Sequence, residues 1–492
     1  MQLSNLLYKV PLTATAGDMN AEVMYLTMES RQVRPGSLFI AVRGTVSDGH
    51  SFIPKAVEQG AAAILCEELP AERAPDVTYV QVTNTPQAMG IAAANFAGHP
   101  AKKLKLVGVT GTNGKTSVAT LLFRLFRSLG YRCGLLSTVQ NQIDDTVIPA
   151  THTTPDSITT NELLTKMLAQ GCTHVFMEVS SHAVVQERIA GLHFAGGIFT
   201  NITHDHLDFH GTFDNYIKAK KGFFDQLPRS AFALTNADDK RGLVMLQNTP
   251  ARRESYSLQT LASFKGKILS DGLFGLEMLI DERQVWFKLI GKFNAYNLLA
   301  VYGAAVLLGE DEEEILTELS ATLPPPGRFE QVMSASRIVG IVDYALTPDA
   351  LQNVLETITE LRQNNDEGVL PQIITVVGCG GNRDATKRPI MAQIAGKFSD
   401  HVILTSDNPR FEDPMAILDQ MQAGISPVDV KKTKTIEDRR EAIRAAVAMA
   451  KPHDIILVAG KGHETYQDVQ GAKHDFDDRK ELFDAFQNVQ KL

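Results

Sequence analysis

The run Gly108-Val109-Thr110-Gly111-Thr112-Asn113-Gly114-Lys115-Thr116 combines small residues, hydroxyls and one lysine in an order suited to phosphate. Its glycines let backbone N–H groups close around phosphate oxygens, and a helix starting at Lys115 aims its dipole at the same anion. Lys115 is placed to neutralise β- and γ-phosphates, and Thr116 to offer a hydroxyl to Mg²⁺. The strict phosphate-loop pattern has glycine where this chain has Val109, so the run is a variant of it. The alternative is a glycine-rich turn that only joins a strand to a helix.

That loop needs a strand before it and a helix after it. Leu104 to Thr110 is β-branched and apolar, and from Lys115 the residues Val118, Leu121, Leu122, Leu125, Phe126 and Leu129 recur at helical spacing. Gly130 is a stop, and Cys133 to Thr138 reads as the next strand, giving a βαβ unit on a parallel sheet. Val175 to Val179, Gly197 to Thr200 and Phe232 to Leu234 continue the rhythm. A second series, Ile338 to Val342, Ile373 to Val377, Val402 to Thr405 and Ile455 to Val458, alternates with helix-like segments such as Arg439 to Ala450. Leu323-Pro324-Pro325-Pro326-Gly327 separates the two series, because consecutive prolines continue neither helix nor ladder. Ser37 to Val42 and Ala61 to Cys66 are strand candidates of a smaller α/β part that ends at Gly98-His99-Pro100. The expected class is α/β, with domains at 1–100, 101–334 and 335–492.

A chain of 492 residues agrees with about three domains. Its composition, 44% hydrophobic and 21% charged, is that of a globular protein folded throughout. Cys66, Cys133, Cys172 and Cys379 are dispersed, which predicts neither disulfides nor a zinc site and suits a reducing cytoplasm. The opening Met1-Gln2-Leu3-Ser4 is not a basic stretch leading into an apolar run, so neither export nor membrane insertion is expected. A net charge of -9 speaks against a nucleic-acid or anionic-membrane surface, so any phosphate must be held locally.

Thr110 to Thr116 reads TGTNGKT, and with it stand Ser30-Arg31, Thr153-Thr154-Pro155, Glu178-Val179-Ser180-Ser181-His182, His204-Asp205-His206-Leu207-Asp208, Asn294, Asn297 and Gly327-Arg328-Phe329-Glu330. In order and spacing this set resembles the Mur ligase family over nearly the whole chain. The resemblance implies a central P-loop-type ATPase domain on a mainly parallel sheet, between an N-terminal uridine-nucleotide domain and a C-terminal Rossmann-like α/β domain. It also implies ATP-dependent amide-bond formation in peptidoglycan precursor synthesis, by a cytoplasmic monomer.

By that resemblance Thr110, Gly111, Thr112, Asn113, Gly114, Lys115 and Thr116 hold ATP, with Asn294, Asn297, Arg328 and Asp343. Thr116, Glu178, His206 and Lys220 support Mg²⁺, and Lys220 does so as a carbamate formed with CO₂. Read alone, Glu178 is a solvated strand-end carboxylate, His206 a core or capping histidine, Lys220 with Lys221 a solvated pair, and the asparagines and Arg328 caps. The family usually continues Asp343 with Tyr-Ala-His, whereas Leu346 stands at the histidine position here.

The resemblance places UDP-N-acetylmuramoyl-L-alanyl-D-glutamate against Ser30, within a region that includes Pro35-Gly36, Leu38-Phe39 and Asp48-Gly49, and against Thr153, Thr154, Ser180 and Arg188. The amine substrate falls to Arg383, Asp407, Asn408, Pro409, Arg410 and the segment Gly460-Lys461-Gly462-His463-Glu464, with Gly460 and Glu464 as its contacts. Arg410 offers a planar fork to a carboxylate, while Asp407 and Glu464 accept from an ammonium, which matches meso-diaminopimelate at both ends. Lysine-adding relatives typically lack this arginine, and Asn382 stands where relatives more often have aspartate. Read alone, Asn408-Pro409 is a surface turn. Two rivals are a folylpolyglutamate synthetase and a nucleotide-binding regulatory module without ligase chemistry. The Ser30 region and Asp407 to Arg410 speak against the first; Glu178, His206 and Lys220 speak against the second.

Overall fold

The computed structural model describes residues 1–44, 47–150, 152–203, 207–363 and 370–489. The chain forms two compact units, Met1–Ser255 with Gly303–Glu310, and Tyr256–Tyr302 with Asp311–Leu492.

The first unit contains an N-terminal sheet in the order Leu12–Ala16, Thr78–Val82, Ala61–Cys66, Ser37–Ile40, Tyr25–Thr27. Only its Leu12–Ala16 edge is antiparallel. The second sheet of this unit runs Phe232–Asn236, Gly196–Phe199, Lys105–Thr110, His174–Glu178, Cys133–Leu136 as parallel neighbours. An antiparallel pair, Asn141–Ile143 and Thr146–Ile148, extends its Cys133–Leu136 edge. Burial on both faces accounts for the apolar runs of its central strands. The register, Glu178 beside Val109 and Phe199 beside Thr110, brings the carboxyl ends of three strands to one edge. Ligands of open α/β sheets bind at that edge.

Two glycines fix the depth of a covering helix. A Cβ at Gly108 would lie 2.5 Å from Phe223 Cζ, and one at Gly197 would lie 2.9 Å from Phe223 Cε1. Phe223 therefore packs against bare sheet backbone, which draws helix Phe213–Asp225 close and carries Lys220, one turn earlier, to the phosphate loop.

The second unit contains the antiparallel meander Phe264–Gly272, Gly275–Ile280, Arg283–Phe287. Its larger sheet runs Glu330–Met333, Val339–Asp343, Ile455–Ala459, Ile373–Val377, His401–Leu404, Thr433–Thr435, parallel except for the first strand. Alternate strand residues point to opposite faces. Ile341, Val377 and Leu457 pack with helices Pro348–Gln363, Lys387–Phe398 and Pro414–Gln422, while Val342, Val376 and Val458 pack with Arg439–Met449 and Asp478–Val489. Because Glu330–Met333 pairs with Val339–Asp343, the chain joins this sheet before residue 335. Among the described residues no helix is long and apolar enough to cross a membrane.

Candidate nucleotide and substrate sites

Strand Lys105–Thr110 releases the chain at Gly111, whose φ is 154° and whose added Cβ would lie 1.9 Å from Thr200 Oγ1. Gly114, at φ 85°, opens helix Lys115–Ser128, and only glycine adopts both conformations without strain. The segment after Gly196–Phe199 clamps the loop. Asn113 N donates to Asn201 Oδ1 at 2.9 Å, Thr200 Oγ1 and Asn201 Nδ2 donate to Asn113 O at 2.6 and 3.1 Å, and Thr112 N donates to Asn201 O at 2.8 Å. Asn236 Nδ2 donates to Thr200 O and Asp239 Oδ2 accepts from Ile202 N, both at 2.9 Å. Thr200, Asn201, Asn236 and Asp239 are absent from the sequence-derived candidates. Their signal is only that they follow strand ends on the loop's edge.

Lys115 Nζ donates to Gly111 O at 2.8 Å and to Thr112 O at 2.7 Å. Lys220 Nζ donates to the same Gly111 O at 2.8 Å and lies 4.6 Å from the centre of the Tyr216 ring. Lys220 is 1% exposed, so the solvated-pair reading fails for it, while the half-buried Lys221 pairs with Asp225. Thr116 is buried in the first turn of its helix.

Glu178, the last residue of its strand, is 0% exposed, which excludes the solvated reading. Thr138 donates from N to Glu178 Oε1 at 2.8 Å and from Oγ1 to Oε2 at 3.2 Å, and Thr138 Oγ1 also lies 3.0 Å from Thr153 Oγ1. Thr154 Oγ1 donates to Glu178 O at 2.8 Å and accepts from Ser180 N at 3.1 Å. Arg188 Nη1 donates to Thr154 O at 2.7 Å, and Ser180 Oγ caps helix Ser181–Val185 through Ala183 N. Thr153, Thr154, Glu178, Ser180 and Arg188 thus form one network, to which the structure adds Thr138. His206 lies outside the described residues. Ser30 opens the short helix Ser30–Gln32 and is partly exposed.

In the second unit the linker motif folds back on the sheet. Phe329 N donates to Asp343 Oδ2 at 2.7 Å, Tyr344 N to Gly327 O at 2.9 Å, and Gly327 N to Glu330 Oε2 at 2.9 Å. Arg328 lies 4.9 Å from the centre of the Tyr344 ring. Burial pushes the Asp343 carboxyl up to about 6, opposed by Arg328 and by the Phe329 N–H. Leu346 O accepts from Lys387 Nζ at 2.8 Å. Asn294 Nδ2 donates to Ile290 O at 2.8 Å and Asn297 Nδ2 to Asn294 Oδ1 at 3.1 Å, both side chains buried.

The candidate amine pocket gathers at the carboxyl ends of Ile373–Val377, His401–Leu404 and Ile455–Ala459. Asn408 Nδ2 donates to Glu464 Oε2 at 2.7 Å, and Tyr344 Oη donates to Glu464 Oε1 at 3.4 Å. Lys461, 0% exposed, donates to Asn408 Oδ1 at 2.9 Å and to Glu464 Oε2 at 3.3 Å. Gly460, at φ 119°, lets Asp407 approach: an added Cβ would lie 2.5 Å from Asp407 Oδ2. Arg410 Nη1 donates to Gly381 O at 2.7 Å, and its backbone, at φ 51°, is held by Asp468 and Gln470. Pro409 O lies against Gly381, Asn382 N donates to Glu412, and Arg383 is exposed. Asp407, Asn408, Pro409, Arg410, Gly460 and Glu464 are therefore neighbours, and Lys461, within the Gly460 to Glu464 segment, is buried and bonded to two of them.

Family models for the Mur ligase family catalytic domain, the Mur ligase middle domain and the Mur ligase glutamate ligase domain match residues 22–97, 109–305 and 327–462. The UDP-N-acetylmuramoyl-L-alanyl-D-glutamate–2,6-diaminopimelate ligase of Cytophaga hutchinsonii is 62% identical over 489 residues, covering 99% of each chain. The Phocaeicola vulgatus protein of the same name is 54% identical over 488 residues, covering 99% of this chain and 100% of its own. A solved structure of a ligase with that name superposes with a TM-score of 0.71 at 31% identity, covering 100% of this chain and 99% of the other. Folylpolyglutamate synthase of Thermotoga maritima, at 17% identity, a TM-score of 0.58 and 76% of this chain, shares the fold alone. With the phosphate loop, the Glu178 network and the Gly327 to Glu330 motif inside the matched segments, the chain belongs to the Mur ligase family.

Proposed function

We propose that this chain is the ATP-dependent ligase that adds meso-diaminopimelate to the D-glutamyl γ-carboxylate of UDP-N-acetylmuramoyl-L-alanyl-D-glutamate, in peptidoglycan precursor synthesis. The observation that carries the choice of amine is that Arg410, Asp407 and Glu464 stand on strand-end loops at one edge of the same sheet, with the Arg410 guanidinium fixed on Gly381 O, Asp407 against Gly460 and the Glu464 carboxylate held by Asn408. Diaminopimelate carries ammonium and carboxylate at each end, so it uses both signs, whereas lysine ends in an ammonium alone.

A carboxylate does not accept an amine in water until its oxygen becomes a leaving group. ATP transfers its γ-phosphoryl to the γ-carboxylate, the amine attacks the acyl phosphate, and phosphate leaves. The loop Thr110 to Thr116 fits the nucleotide: its amides are held by Thr200 and Asn201, and Lys115 is aligned on Gly111 O and Thr112 O. Arg328, Asp343, Asn294 and Asn297 are assigned to the nucleotide as well. Ser30 is assigned to the uridine end, and Thr153, Thr154, Ser180 and Arg188 to the muramoyl dipeptide. Arg383 joins the amine pocket.

The buried hydroxyl of Thr116 and carboxylate of Glu178 fit Mg²⁺, a hard cation that prefers oxygen donors. When bound, Mg²⁺ neutralises charge developing on the phosphate oxygens. His206 is proposed as a further ligand. Two ammonium groups sharing Gly111 O repel each other, and reaction of the Lys220 amine with CO₂, releasing a proton, replaces one with a carbamate anion.

We place the working compartment in the cytoplasm and the domains at about 1–100, 101–334 and 335–492; the pairing of Glu330–Met333 with Val339–Asp343 supports moving the second boundary from residue 334 to the proline run before Gly327. A substrate panel tests the function: ADP release with the UDP-muramoyl dipeptide, ATP and Mg²⁺, comparing diaminopimelate, lysine, ornithine and no amine. Release dependent on diaminopimelate is expected, and a preference for lysine would overturn the assignment.

A further inference from the structure

Lys461 combines complete burial with bonds to Asn408 Oδ1 and Glu464 Oε2, while Asn408 Nδ2 donates to the same carboxylate oxygen. The three side chains close a ring. Its members come from two strand-end loops, after His401–Leu404 and after Ile455–Ala459. Asp468 N also donates to Asn408 Oδ1 at 2.9 Å, which ties in strand Tyr466–Val469.

We infer that Lys461 is a positioning residue for the amine substrate: it touches no reacting atom but supplies the buried positive charge that fixes the Glu464 carboxylate in place and holds Asn408 correctly rotated. The inference rests on the diaminopimelate reading. A buried cation left without partners is strongly disfavoured, so Lys461 favours the arrangement in which Asn408 turns its oxygen inward and its amide toward Glu464. Glu464 meets further groups from every side. Tyr344 donates to its other oxygen, Asp407 is a like charge beside Tyr344, and the Arg439 guanidinium, paired with Asp478, senses both carboxylates. Among these, Lys461 alone is a cation that donates directly to Glu464. Its bond holds in one place the carboxylate that is to accept from an incoming ammonium.

The test uses the full-length enzyme with separate titrations of diaminopimelate, ATP and the UDP-muramoyl dipeptide. In Lys461→Met, KM for diaminopimelate should rise by about 30-fold or more, as when one partner of a buried pair is removed. KM for the other two substrates should hold. At saturating diaminopimelate kcat should fall far less than kcat/KM, because the loss lies in seating the amine. Lys461→Gln should show a smaller rise in KM, since it keeps a donor but no charge. Lys461→Arg keeps the charge, while its rigid fork should raise KM for diaminopimelate several-fold. Should neither neutral variant fold, Lys461→Arg decides alone, and an unchanged KM overturns the inference. An unchanged KM for diaminopimelate in a folded neutral variant, or equal rises for all three substrates, overturns it too. Wild-type enzyme that forms no amide from diaminopimelate would instead overturn the functional reading.

Discussion

Gly111 O is where the chemistry of single residues is most concentrated, because it accepts from Lys115 and from Lys220 at the same 2.8 Å. Lys115→Ala should lower kcat by about 10²–10³-fold or more, the usual cost of removing a preorganised charge partner of a transferring group. ADP release at saturating substrates measures it, and near wild-type release would remove the loop from the reaction. Lys220→Ala should be inactive and partly restored by acetate but not by acetamide, if the missing group is an anion. Full activity with unchanged magnesium dependence would return Lys220 to a packing role. Lys115 was legible in the sequence because its motif is local. Lys220 and Glu178 read alone as solvated residues, and only the fold buries them, since Phe223 seats one helix on Gly108 and the register puts Glu178 beside Val109. Asn201 was not legible, and Lys461 was legible only as a member of its segment, because their partners are distant in the chain.

At the scale of elements, the linker motif is a backbone splice. Gly327 sits at φ 64°, and an added Cβ would lie 2.1 Å from His463 N. Gly327→Ala should therefore destabilise the protein by more than the roughly 1–3 kcal/mol of left-handed strain alone, seen as a lowered thermal midpoint. A midpoint within error of wild type would mean that the motif does not bear on the His463 loop. Asp343, at the end of its strand, is held up to about 6 by burial. A raised carboxylate makes folding progressively less favourable as pH climbs from its unfolded value near 4 through 6, and has no such effect below that window. Asp343→Asn keeps an acceptor for Phe329 N and should gain on wild type in that direction, by on the order of 2–3 kcal/mol at pH 7.5 relative to pH 4. Midpoints of both proteins across this range decide, and a constant difference would show that Asp343 does not titrate there. Strand and helix positions were readable from apolar runs such as Ile373–Val377 and from the periodicity after Lys115. The antiparallel edge Glu330–Met333 was not, because its pattern of partly buried residues carries little period-two contrast and its pairing is set by the sheet it joins.

At the scale of the whole molecule, a net charge of -9 gives no general attraction for anionic ligands, so each substrate must be recognised by its own local set of groups. Two compact units with separate hydrophobic clusters then imply that a ligand stabilises the unit holding its contacts before it stabilises the other. A ligand at about 100 times its Kd adds about 2.7 kcal/mol to the state it binds, or roughly 100-fold slower exchange in the segments it orders. Hydrogen exchange read by mass spectrometry separates the cases. Diaminopimelate alone should protect residues 407–412 and 460–469 in the second unit and leave the phosphate loop unchanged. The UDP-muramoyl dipeptide alone should protect 30–36 and 153–188, both within the first unit. ATP with Mg²⁺ should protect 110–128 whichever other substrate is present. Protection of the first unit by diaminopimelate, with residues 407–412 untouched, would contradict the assignment of Arg410 and Glu464 while leaving the ATP site intact. If lysine protected the second unit as strongly as diaminopimelate, the pocket would be recognising the amino-acid end common to both, and Arg410 would have no part in choosing between them.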